Sequence, residues 1–357
     1  MVLNAVRFCN RFEGTWFQTT SFDVSSIESH IHALLSRAGS STAFRTAEEH
    51  SRYFTFPDEV YSRDINDLQS TGSVANLARL RHMQNCHHRF NVERCHAAFA
   101  SDPELPLLLE LATVGAWVDV PPDMTPNGAP GKSRAILRHL RHTIQRHAYD
   151  LWVSGQALLL PLPTAEKLGL HFSPIHWVYQ YGKPLGRLVC DLSADDYGAC
   201  VNDIRAKSLI SERYGNISLP TIYDFIDMII AAADQAGGLD LLALWKDDIA
   251  SAFNQFNFNA DCVKWLSFLV SEQTDEHSPM VMVTCTGNFG WQGSPAVYDV
   301  IRRAIDRALH STLQGLALSY VDDYVGVARC HVAVEDQRQF HLIVSSALGP
   351  EELLSTI

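Results

Sequence analysis

The sequence predicts an α+β fold of the ferredoxin-like kind, with helices on one face of an antiparallel sheet and a mostly helical region before it. Three observations carry that expectation. An unbroken apolar run at 241–245 ends close to two adjacent acids, Asp247 and Asp248. A second pair of apolar runs, in LALSYVDDYVGVA at 316–328, flanks Asp322 and Asp323. Segments with helical periodicity precede and separate these strands, so the order from 217 onward is helix, strand, strands, helix, hairpin, which is close to a split βαβ unit.

Size and composition set the frame. A chain of 357 residues buries a large core and is long enough for two or three domains. A composition of 46% hydrophobic and 19% charged residues argues against long disorder. The net charge of −12 means that any nucleic-acid partner needs a local basic surface. The cysteines form no CxxC pair, which suits reduced thiols in a cytoplasmic or nuclear protein. The opening MVLNAVRFCNRF has no apolar core of a signal peptide, so secretion is not expected. The two most apolar windows are broken by Glu110 and Asp227, and no membrane span is expected.

In chain order, residues 1–72 have weak periodicity and read as mixed helix and loop. Residues 73–100 read as helical, with Val74, Leu77 and Leu80 at helix spacing. Cys86, His87, His88, Cys95 and His96 lie among four arginines there, at a spacing that matches no zinc finger, so a basic helix is expected. The prolines between 103 and 130 read as a linker. A helix from Ser133 to about 149 carries the apolar stripe Leu137, Leu140, Ile144 and Ala148. Its cations Lys132, Arg134, Arg138, Arg141 and Arg146 suit phosphate, an acidic partner or water alike.

Strand-like runs follow at 157–162, 176–180 and 187–192. The last two flank YGKPLG, so Lys183 and Arg187 sit at the tip and return of a hairpin. Such a pair can grip phosphate oxygens, and an ordinary surface hairpin would look the same. Thr221 caps a helix that stops at Gly237-Gly238. The run at 241–245 reads as a strand buried on both faces, with Asp248 at the sheet's edge where ligands collect. Further strands are expected at 263–270 and 280–286. Gly287, Gly290 and Gly293 let backbone approach a ligand closely. Ser294 and Pro295 then open a helix to about 310 that exposes Arg302, Arg303 and Arg307. A last helix covers 332–348.

Two ionised carboxylates at a tight turn between buried strands repel each other, and a cation relieves that repulsion. Asp is also an ordinary turn residue, so the hairpin alone leaves a polar turn and a metal site both open. If the strand ending at Asp248 neighbours the hairpin, the carboxylates can hold two divalent ions about 3.5–4 Å apart, the chemistry of phosphoryl transfer.

Four stretches in order now carry a resemblance: GKPLGRLVCDLS at 182–193, DIASAFNQF at 248–256, NFGWQGSPAVY at 288–298 and YVDD at 320–323. Together, residues 157–348 resemble the fingers and palm of a retroelement reverse transcriptase, an RNA-directed DNA polymerase. The resemblance implies a palm of ferredoxin-like type plus fingers at 157–357, after a region 1–156 of unassigned role. It implies Asp248 and Asp322 as metal ligands, with Asp323 a weaker one. Asp248 rather than Asp247 is implied because an aromatic, Phe253, follows it by five residues. Phe253 would be the steric gate below the sugar, rejecting a 2′-hydroxyl. Arg187 and Lys183 would hold the triphosphate, and Phe289, Gly290 and Gly293 would line the nucleotide and template side. Asp191 would be structural.

The implied cofactor is a pair of Mg²⁺ ions, with Mn²⁺ as a substitute. The implied partners are an RNA or DNA template with its primer, deoxynucleoside triphosphates, and RNase H and recombinase or integrase domains of a longer polyprotein. GRLVCDLS followed by GACVNDI, with FIDMIIAAADQAGG, is similar to the tyrosine-recombinase (DIRS-type) branch. Departures exist. Ser193 stands where many relatives have arginine, no lysine follows Lys264, and thumb, primer grip and RNase H are not visible, as in a copy truncated before the thumb. A catalytically silent remnant that binds nucleic acid or is only structural is therefore the alternative expectation.

Overall fold

A computed structural model of the protein describes residues 54–85, 89–130, 134–178, 187–195, 200–274 and 276–349. Lys183 and the Cys86-His87-His88 run lie outside them. Among the described residues no helix is long and apolar enough to cross a membrane.

The helices are α1 (Arg63–Thr71), α2 (Val74–Asn85), α3 (Val92–Phe99), α4 (Leu105–Thr113) and α5 (Arg134–Val153) in the first part of the chain. They are followed by α6 (Leu162–Lys167), α7 (Ile204–Tyr214), α8 (Ile222–Ala236), α9 (Ser294–Thr312) and α10 (Ala333–Leu348). The strands are β1 (Ala157–Pro161), β2 (Ile175–Val178), β3 (Arg187–Cys190), β4 (Leu242–Asp248), β5 (Ser267–Leu269), β6 (Met280–Thr284), β7 (Leu316–Tyr320) and β8 (Asp323–Arg329). Among the described residues they form two three-stranded antiparallel sheets, in the orders β1-β6-β5 and β4-β8-β7, and an antiparallel β2-β3 pair. The fold is α+β with small antiparallel sheets.

Several expectations are corrected. The proline-rich stretch is not all linker: α4 tolerates its Pro in the first turn, where no intrahelical donor is lost, and buries Leu108, Leu111 and Ala112. The run at 263–270 splits into a 3₁₀ turn at Val263–Trp265 and the short β5. β4 is not buried on both faces. Ala243, Trp245 and Asp247 are buried, whereas Leu244 and Lys246 between them are exposed, the alternation of a strand with one solvated face.

The helices are not confined to one face of the β4-β8-β7 sheet. On one side, Phe340 of α10 packs its ring 5.4 Å from Trp245 and 4.9 Å from Tyr324, and Arg302 of α9 donates to Ser319 Oγ at 2.7 Å. On the other, α8 presses Met228 and Ala232 onto Leu242 and Val327. α8 starts with a reciprocal cap, in which Asp224 N donates to Thr221 Oγ1 and Thr221 N to Asp224 Oδ2. It stops at Gly237 in the left-handed region. Its cover falls on the far end of β4, away from Asp248.

The arginines expected on the surface of α9 are paired. Buried Arg302 lies 2.7 Å from both Asp299 and Asp306. Arg303 and Arg307 each reach Glu104 at 2.7 Å, and Arg307 reaches Asp102 at 2.8 Å. These bridges tie α9 to the first part of the chain, and the main core runs without a break across residue 156, from Phe56 to Leu348. Asp64, fully buried, clamps the same junction. It accepts from Arg81 Nη2 at 2.6 Å, Trp152 Nε1 at 3.0 Å and the Leu159 backbone N of β1 at 2.7 Å.

Candidate active site

The site grows out of one rung of sheet. β4 pairs antiparallel with β8, and the register sets Asp248 opposite Asp323 and Asp247 opposite Tyr324. Alternation separates the adjacent acids. Asp247 is buried on the α10 face, where Gln337 Nε2 donates to it at 2.7 Å and His341 Nε2 lies 3.2 Å away. Asp248 lies on the opposite face with Lys246.

The β7-β8 turn is shifted by one residue from expectation. Tyr320 pairs with Asp323, so the two turn residues are Val321 and Asp322, and Asp323 already belongs to β8. Local chemistry accepts either placement, since Asp suits a turn; the pairing of β8 with β4 decides it. Val321 takes φ 57°, a conformation that a β-branched residue rarely adopts and that costs about 1–3 kcal/mol. The backbone N of Ile249 donates to Asp322 O at 2.9 Å, binding the turn directly to the residue after Asp248.

These residues border a cleft of about 460 Å³. Asp248, Asp322 and Asp323 lie along it with Phe253, Phe289 and Arg187, so six of the expected site residues share one space. Ser251, at φ 49°, turns the chain into the 3₁₀ segment Ala252–Gln255 that carries Phe253. The Phe253 ring is braced by Phe289, centroids 5.0 Å apart, and by Tyr298 at 6.2 Å. Arg187 of β3 stacks its guanidinium 4.7 Å from the Phe289 ring centre. Its charge has no carboxylate partner among the described residues.

Gly290 and Gly293 are not among the residues bordering this cleft. Gly290, at φ +124°, is where the loop lies against β3: a Cβ there would sit 1.8 Å from Cys190 O. Cys190 N donates to Phe289 O at 2.9 Å beside it, and Asn202 Nδ2 donates to Gly290 O at 2.6 Å. Gly293 makes room for the Trp291 indole, 2.3 Å from where its Cβ would be. Both therefore hold the loop that presents Phe289. Ser294 does not cap α9; its hydroxyl donates back to Asn288 O at 2.8 Å.

Sequence reasoning missed several members. Lys246 Nζ lies 2.8 Å from Asp323 Oδ1. That hydrogen bond, aided by the charges of Asp248 and Asp322, raises its pKa above the lysine norm against the opposing pull of burial. Its place two residues before Asp248, on the same strand face, was a usable signal. His147 of α5 and Trp177 of β2 also line the cleft, with rings 6.5 Å apart and nearly perpendicular. Burial pushes the His147 pKa down. Burial and the nearby Asp322 push that of Tyr298 up. Neither ring has a local sequence signal.

The fit to a metal can be judged from the donors. Among the described residues no group of three or more His, Cys, Asp or Glu side chains is gathered in a metal-holding arrangement. Mg²⁺ rarely uses such a cage; one or two carboxylates, waters and substrate phosphates suffice. Three hard carboxylates border one cleft, and an ammonium already stands on one of them as a cation does. That donor set fits Mg²⁺ or Mn²⁺. No family model matches this chain, and no curated protein matches it.

Proposed function

We propose that the protein is the fingers and palm of a retroelement reverse transcriptase, adding deoxynucleotides to a primer on an RNA or DNA template. The observation that carries this reading is the convergence of Asp248, Asp322 and Asp323 with Arg187 and Phe253 on one cleft. Three motifs supply those residues and a fourth supplies Phe289 on the same cleft; they are far apart in the chain and are the ones the resemblance rests on. Asp248 and Asp322 would hold the divalent ions, with Asp323 as a secondary ligand. Bound there, the ions would supply activation of the primer hydroxyl and charge neutralisation at the leaving pyrophosphate. Arg187, held flat by Phe289, would contact triphosphate oxygens. Phe253 would stand below the sugar and exclude a 2′-hydroxyl.

The partners on this reading are primer–template and deoxynucleoside triphosphates inside the cell, with RNase H and recombinase or integrase domains of the same element. The DIRS-type branch is the finer assignment. Asn202, within the GACVNDI segment that suggested it, anchors the Phe289 loop by accepting from Gln292 N at 2.9 Å.

The test is primer extension with Mg²⁺ or Mn²⁺ beside Asp322→Asn. Extension by the parent that is lost in the variant supports a polymerase. The second reading is a silent nucleic-acid-binding remnant. Salt-sensitive binding to primer–template with no extension under either metal would establish that reading instead.

A further inference from the structure

We infer that Lys246 is a positioning residue that holds Asp323 out of the divalent-cation site and so sets how tightly that site takes a metal. The inference rests on the polymerase reading for the cation itself. Lys246 sits two residues before Asp248 on β4, so both side chains leave the same face of the sheet. Its direct cross-strand partner is Val325, which makes Asp323 its diagonal neighbour, within reach of a long side chain. The contact is made, Nζ to Oδ1, at 2.8 Å.

The surroundings leave this ammonium open to solvent. The Lys246 side chain is 61% exposed and that of Asp323 43%. On the same sheet face Leu244 is exposed as well. Asp248 and Asp323 face each other across the ladder, and like charges directly opposite destabilise a sheet. Lys246 offsets that repulsion. It also opposes an arriving divalent cation in two ways: it repels the ion, and it occupies one of the oxygens on offer.

Removing the charge therefore acts with one sign. The cation meets less repulsion, and it finds the Asp323 oxygen no longer taken by an ammonium. Arginine in the same place keeps the charge and the competition. Asp323 then behaves as the weaker ligand because Lys246 occupies it, while Asp248 and Asp322 take the ion.

The experiment measures Mg²⁺ binding by calorimetry and Tb³⁺ binding by luminescence on the full chain. It compares the parent, Lys246→Met, Lys246→Gln, Lys246→Arg and Asp248→Asn. Lys246→Met and Lys246→Gln are expected to tighten cation binding about two- to five-fold at low salt. The gain should shrink at high ionic strength, where exposed charges are screened. Lys246→Arg should match the parent, and the tightening in Lys246→Met, which keeps the stem and loses only the charge, is a result that a purely packing role would not give. Cation binding that Asp248→Asn abolishes but both neutral Lys246 variants leave unchanged or weaker overturns this inference and leaves the polymerase reading standing. No cation binding by the parent overturns both.

Discussion

Asp248 and Asp323 face each other on the last rung of the β4-β8 ladder, and the Ile249 N to Asp322 O bond of 2.9 Å continues that ladder into the turn. Backbone pairing, not side-chain choice, thus brings the carboxylates of two separate motifs together. One residue of slip in the register would send either acid to the opposite face. The same rung explains why adjacent aspartates differ: Asp247 is committed to Gln337 and His341 of α10.

The two neighbours are expected to divide stability from activity. Asp248→Asn should cost at least about a hundred-fold in primer extension while leaving the unfolding midpoint within about 0.5 kcal/mol of the parent. Asp247→Asn should weaken its bond network and lower stability by about 1–3 kcal/mol, with extension largely kept. Urea unfolding beside extension rates checks both, and the reverse pattern would exchange the roles given to the two acids.

Phe253 is held from two sides by Phe289 and Tyr298, so its ring is a rigid wall. Phe253→Ala should reduce the preference for deoxynucleotides over ribonucleotides about ten- to a hundred-fold. The ratio of kcat/KM values for the two substrates is the measurement, because a ratio is insensitive to the fraction of folded protein. An unchanged ratio would remove Phe253 from the gate.

Asp64 joins α1, α2, α5 and β1 through Arg81, Trp152 and the Leu159 amide. Asp64→Ala leaves the buried Trp152 Nε1 and Leu159 amide without their acceptor, while Arg81 keeps Asp67, and should cost about 3–5 kcal/mol. The urea midpoint should fall with the slope unchanged. Loss of the first part of the chain alone, with the rest intact, would show two folding units and contradict the continuous core.

Glu104 titrates as an acid-stability element. Hydrogen bonds from Arg303, then from Arg307, hold its pKa below the usual value of 4.5 against an opposing effect of burial. A depressed carboxyl stabilises the fold fully above its unfolded-state pKa, and the benefit disappears as pH falls through the folded-state value. Glu104→Gln should therefore lower stability by up to about 1 kcal/mol near neutrality, and this deficit should close below about pH 4. Unfolding midpoints across that range give the comparison; a deficit that grows towards acid would reverse the sign.

Much of the local architecture was legible in the residues. Whereas the stripe of α5 is broken by a kink at Leu140, the Thr221 cap and Gly237 stop of α8 and the strand character of 280–284 each follow from short-range rules: who can bond the first free amide, who tolerates a left-handed φ, which side chains recur at an extended period. So does the separation of Asp247 from Asp248, since a strand sends consecutive side chains to opposite faces.

The rest was decided by contacts between segments distant in the chain. Arg303 and Arg307 look like a solvated helix face until Asp102 and Glu104 are folded against them. YVDD permits two turn placements, and only the pairing of β8 with β4 chooses Val321-Asp322 and accepts the strain at Val321. His147 and Trp177 reach the cleft from segments with no motif of their own. By itself the sequence determined which residues are chemically able to serve a phosphoryl-transfer site and what local structure each prefers, because those properties depend on neighbours a few positions away. Which of them share a cleft was settled by the tertiary structure, because strand register and helix docking are set by the summed packing of segments that no local pattern encodes.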